Sequence, residues 1–189
     1  WQGDESRLWR DADNWTLSTV GDPGSQPQIE DDVRLSPVEA GNNRTLSLRK
    51  ANGNSTTRDI NNLWVRGPGS WTFNDGKVRV NNSLTWTRES LSGTSTTLNA
   101  KLAVTTGVTT TLNGASSDQY VMTLNLGKEI NGDGTLVLSA DDDIFDILVP
   151  NPDFNGTFRI NSGVLRLSDG DALLNASTIE LNGGKIDIN

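Results

Sequence analysis

Any chemistry in this chain has to come from carboxylates. The 189 residues include 24 Asp and Glu, 16 Lys and Arg, and neither His nor Cys. Without His there is no side chain that ordinarily titrates near neutrality, and the commonest zinc ligand is missing. Without Cys there are no disulfides, thiolate metal sites or thiol nucleophiles. The densest acidic run is Asp141, Asp142, Asp143 and Asp146. Such a run invites comparison with Ca²⁺ loops, which surround the ion with oxygens. It lacks the Gly and the terminal Glu of an EF-hand loop, so it reads as a solvated acidic loop bulging from one face. Glu30, Asp31 and Asp32 read as a solvated edge at the start of a strand.

Glycoside hydrolysis would need two carboxylates facing one another across a groove. A lyase would need a basic residue poised to take a proton. The Arg and Lys residues are scattered, and Arg79 and Arg166 stand at outward repeat positions. The reading is therefore a non-enzymatic protein with no cofactor and no metal. Its net charge of −8 and isoelectric point near 4.5 repel phosphate backbones and anionic lipid, which argues against nucleic-acid partners. No apolar run approaches the length of a membrane span, so no membrane insertion is expected. The first residue is Trp1 rather than Met, which reads as a mature N-terminus left after signal-peptide removal.

What would position these residues is a recurring phrase. It reads Phe73-Asn74-Asp75-Gly76-Lys77-Val78-Arg79-Val80, then Ile130-Asn131-Gly132-Asp133-Gly134-Thr135-Leu136-Val137-Leu138. It returns as Ile160-Asn161-Ser162-Gly163-Val164-Leu165-Arg166-Leu167 and as Leu181-Asn182-Gly183-Gly184-Lys185-Ile186-Asp187-Ile188. The last two copies start 21 residues apart and the preceding pair 30 apart. A loose period of this length, made of short alternating strands and Asn/Gly corners, predicts an all-β solenoid. Leu136, Leu138, Leu165, Leu167, Ile186 and Ile188 should point inward and stack in columns. Asn at equivalent corners can hydrogen-bond to its counterpart one layer away. Asn74, Asn131, Asn161 and Asn182 are the expected members of such a ladder. A single helical turn is expected at 171–176.

Residues 1–40 differ from the rest. Trp1, Trp9, Trp15 and three Pro sit among charges with no repeat, which suits a cap or extension on the open core of a solenoid spanning 41–189.

These residues support a family comparison. Gly132 to Ser139, with Phe154-Asn155-Gly156-Thr157-Phe158-Arg159-Ile160-Asn161-Ser162-Gly163-Val164-Leu165-Arg166-Leu167, resembles the autotransporter-associated β-strand repeat. That family reads roughly G-x-G-T-L-x-L, a variable stretch, then G-x-T-x-I-x-x-G-x-L-x-L. Leu8-Trp9, Asn14-Trp15 and Asp31-Asp32-Val33 are similar to the opening of many secreted bacterial proteins that carry such repeats. The good match covers residues 130–189. The resemblance implies a right-handed parallel β-helix on a secreted or surface protein, and carries no catalytic residues.

Two functions follow as expectations. The first is a subunit of an extracellular filament or matrix whose partner is itself. Head-to-tail stacking would bring Ile179, Leu181, Ile186 and Ile188 of one copy against Trp1, Trp9, Trp15, Val33 and Leu35 of the next, or residues 1–30 would be donated as a strand. The second is a carbohydrate-binding or adhesive module on a surface polysaccharide, using Trp64, Trp71 and Trp86. Because the acidic run lacks convergent spacing, EDTA is expected to leave the melting temperature of the purified protein unchanged; a large drop would reveal a structural ion.

Overall fold

The computed structural model describes residues 32–35, 44–48, 55–67, 69–88, 95–115 and 121–189. Of the cap or extension expected at 1–40, only residues 32–35 are described; Trp1, Trp9 and Trp15 lie outside the described residues. The described chain is all-β. Its strands are β1 (Asp32–Leu35), β2 (Arg44–Ser47), β3 (Thr56–Gly67), β4 (Gly69–Arg88), β5 (Ser95–Val104) and β6 (Thr109–Ala115). They continue with β7 (Thr123–Leu126), β8 (Ile130–Gly132), β9 (Thr135–Ile147), β10 (Thr157–Leu167), β11 (Thr178–Leu181) and β12 (Lys185–Ile188).

Among the described residues all the pairings are parallel and fall into three columns. The first joins β1, the second half of β3, the end of β4, β6, and the first halves of β9 and β10, ending on β11. The second joins β2, the start of β4, the first half of β5, β7, and the second halves of β9 and β10, ending on β12. The third joins the first half of β3, the middle of β4, the end of β5 and β8, and continues through a bridge from Gly132 to Phe154. The chain visits the columns in a fixed order and lays each pass on the one before. The long strands β3, β4, β9 and β10 run through a corner, where their registers shift.

Alternation explains the core. Within each column the apolar residue of every pass lands on that of the next: Val33 on Leu63, Leu63 on Leu84, Leu84 on Leu112 and Leu112 on Leu138 in the first column. Phe145 lies on Leu165, and Leu165 on Ile186, in the second. The result is one continuous apolar cluster reaching from Val33 to Leu173. Trp86, Phe145 and Phe158 meet across its interior, with ring centroids 6.0 and 6.3 Å apart. Leu136, Leu138 and Leu165 are buried as expected, and Leu167 packs partly against the cluster. Ile186 and Ile188 stand in the same columns but are exposed on the last pass.

Corners need unusual backbone. Gly132 adopts a φ of 109°, and a Cβ there would sit 2.0 Å from the carbonyl oxygen of Val104. Gly163 has a φ of 84° and lies against Ala140 and the backbone of Asp143. Asp75 and Asp141 hold φ values of 64° and 48°, which short polar side chains tolerate better than most.

The acidic run corrects one expectation. Asp141 to Asp146 does not bulge as a loop but lies within β9. Ile144 to Ile147 pair with β7 and β10 on either side. Strand parity turns Asp143 inward, where it is buried and accepts a 2.7 Å hydrogen bond from the Met122 N–H. The residues at 171–175 form a turn whose Ala172 and Leu173 close the third column.

Asn151 ties three passes together there. It is fully buried. Its Oδ1 accepts from the Ile130 N–H, and its Nδ2 donates to Ala172 O at 2.8 Å and Val149 O at 2.9 Å. Ile130 and Ala172 each lie 21 residues from it, one pass before and one after. Removing a buried polar side chain with several partners orphans backbone groups that water cannot reach. Asn151→Ala should therefore cost about 3 kcal/mol, on the scale of the penalty for buried unsatisfied groups. A lowered urea midpoint would register this, and an unchanged midpoint would refute the role.

Candidate functional site

Three surfaces compete for function: the last pass, the polar corners, and a groove on the third column. On the last pass, parity points Ile179, Leu181, Ile186 and Ile188 toward the axis, but nothing among the described residues lies on them. They are 43, 56, 37 and 75% exposed. One pass earlier Phe158, Ile160 and Leu165, their register partners, are all fully buried. Val33 and Leu35, expected to meet this face in a neighbouring copy, are already buried.

The Asn ladder is smaller than expected and partly elsewhere. Asn182 donates to Asn161 Oδ1 at 3.1 Å across the corner between the first and second columns. Asn74 stands at a different corner, between the second and third columns, where it accepts from Lys128 Nζ at 3.2 Å. Asn131 lies inside β8 and is buried. The recurring phrase thus serves several corners, since its frame demands only a bend followed by alternation. A second polar ladder occupies the corner before the first column. Asn62 Nδ2 donates to Asp32 Oδ1 at 2.7 Å, and Asn82 Nδ2 and Ser83 Oγ donate to Asn62 Oδ1 at 2.8 and 2.6 Å. The signal for it was the pair of doublets Asn61-Asn62 and Asn81-Asn82, one pass apart.

The Trp residues proposed as a stacking platform are mostly core. Trp71 and Trp86 are buried, and Trp64 lies under the Arg34 guanidinium, 5.1 Å from its ring centroid.

Outward positions carry ion pairs between passes. Arg79 meets Asp59 at 2.7 Å, Lys101 meets Glu129 at 2.6 Å, Arg159 meets Glu180 at 2.5 Å and Arg166 meets Asp187 at 2.9 Å. These are exposed or half-exposed and individually weak.

The groove holds about 580 Å³ and is lined by Ser55, Thr56, Thr57, Phe73, Asp75, Gly76, Lys77, Lys101 and Lys128. Lys77 and Lys101 are direct register partners on β4 and β5. Lys128 reaches in from the corner after β7, donating from Nζ to Phe73 O at 2.7 Å. Burial, and then the nearby Lys101 charge, push the Lys128 ammonium below its ordinary pKa, with Asp75 and Glu129 opposing. Ser47 Oγ donates to Asp75 Oδ2 at 2.9 Å. In sequence the three lysines look scattered; only the column register gathers them.

No family model matches this chain, and no curated protein or solved structure matches it.

The Arg159 hydrogen bond holds the Glu180 carboxyl below the usual carboxylate range. A depressed folded-state pKa contributes stability that is present above the unfolded value of 4.5 and is lost as pH falls through the folded value. Glu180→Gln should thus lower stability slightly at pH 7, with the difference closing as pH falls below 4.5. Urea unfolding across this range checks the sign; a difference that widens in acid would contradict it.

Proposed function

We propose that this chain is the right-handed parallel β-helix of a non-enzymatic extracellular structural protein, a subunit of a filament or matrix whose copies join by head-to-tail stacking or strand donation. Handedness follows the strong preference of parallel crossover connections for the right-handed sense. The observation that supports the assembly is the in-register parallel stack, in which each pass buries the apolar row of the one before it from Val33 to Leu173. A strand from a second copy would extend the same columns, pairing backbone while burying Ile179, Leu181, Ile186 and Ile188.

Burying one Leu or Ile fully contributes roughly 1.5–3 kcal/mol. Four of them give a sum comparable to the cost of lost rigid-body freedom, so added backbone pairing decides the affinity. The extracellular location rests on the resemblance of residues 130–189 to the repeat of secreted bacterial surface proteins.

Ile186→Lys with Ile188→Lys places two charges on the open face without touching the buried columns. Unmodified protein should form dimers or longer polymers by light scattering and electron microscopy, and the double variant should be a folded monomer with unchanged circular dichroism. An unmodified protein that stays monomeric at high concentration, or a double variant that still assembles, would overturn the reading.

A further inference from the structure

Charges on neighbouring passes follow one rule with a single exception among the described strands. Asp59 faces Arg79, Asp146 and Asp187 face Arg166, and Glu180 faces Arg159. Lys77, by contrast, faces Lys101 in register. Like charges directly opposite one another in a sheet are destabilising. The exception lies in the groove, where Lys128 adds a third ammonium. Places where a sequence breaks a local rule concentrate at functional sites. Lys101 is compensated by Glu129, and Lys128 by the Phe73 carbonyl and Asn74. Lys77 has no ion partner among the described residues.

We propose that this groove binds an anionic polysaccharide, its acidic groups seated on Lys77, Lys101 and Lys128 and its hydroxyls on Ser55, Thr56 and Thr57. Stacked passes repeat at about 4.8 Å, so Lys77 and Lys101 form a short row of positive charge along the stack. A row suits a polymer with regularly spaced acids better than a compact anion. Lysine acts as a point charge and accepts such groups in several orientations. Asp75 and Glu129 face the same groove and temper its field, so neutral flanks and hydroxyl contacts must share the binding. The net charge of −8 opposes any long polyanion, so the groove suits a short acidic stretch of saccharide held by its local lysines and hydroxyls rather than a continuous phosphate backbone. Gly76 forms part of the wall, where a Cβ would meet the Thr56 carbonyl oxygen of the preceding pass at 2.1 Å, so the two strands lie close there.

The site is separate from the open last pass, and the two proposals fail independently. Binding of oligogalacturonate, heparin-derived oligosaccharide and dextran to the intact protein at low salt would be measured by calorimetry. Oligogalacturonate or the sulfated oligosaccharide should bind, whichever is tighter naming the acid, and dextran should not. Lys77→Gln should weaken that binding several-fold, and Lys77→Gln with Lys128→Gln at least tenfold, while Arg159→Gln, the same charge change elsewhere, should leave it intact. Circular dichroism would confirm that each variant is folded. Failure of both acidic probes to bind, equal binding of dextran, or equal weakening by Arg159→Gln would overturn the proposal, as would tighter binding of single-stranded RNA than of either saccharide.

Discussion

Parallel in-register stacking is the constraint on which everything else here depends. Each strand's backbone bonds to the pass before and the pass after, so a residue's height and its inward or outward aspect are inherited from its partner. Leu165 is inward because Phe145 is, and Ile186 because Leu165 is. The same inheritance fixes the outer surface, placing Arg159 beside Glu180 and Lys77 beside Lys101 without any local preference for those neighbours. A slip of one residue would exchange the two faces of an entire strand. The core is a sum of columns rather than a single packed centre, which is why 33% hydrophobic residues suffice.

Corners are where this inheritance is interrupted and polar groups take over. Between columns the backbone must bend, and its donors and acceptors lose their regular partners for a residue or two. Asn62 with Asp32 and Asn82, Asn161 with Asn182, and the buried Asn151 fill three such gaps by different means. The first two are exposed and exchange readily with water, so their contribution is geometric selection more than energy. Asn151 has no access to water and is bound by it least. Its partners lie one pass up and one pass down, so it carries register information along the axis as well as satisfying the turn.

Alternation was legible because it has a period of two and survives any loop length. The strands around Leu63, Leu84, Leu136, Leu165 and Ile186 follow directly from it. Column membership was not legible, because it depends on the count of residues at each corner and that count varies from pass to pass. The recurring Asn–Gly phrase looked like one repeated corner, yet Asn74, Asn131 and Asn161 occupy three different places. For the same reason the acidic run was misread. Four acids within six residues suggest a solvated loop, whereas Ile144, Phe145 and Ile147 among them keep the strand parity that seats the segment in β9. The lysine groove was invisible in sequence because Lys77, Lys101 and Lys128 meet only through register.

The two surfaces given functions above differ in how the stack creates them. The inward row of the last described pass follows from parity alone: Ile179, Leu181 and Ile186 inherit their aspect from Phe158, Ile160 and Leu165. The groove does not follow from parity, since any outward pair would satisfy the stack, and the neighbouring outward positions hold opposite charges. A like pair in register raises the energy of the folded state without improving any column. A property that stacking would remove, rather than one it generates, is the better guide to what the surface of this protein recognises.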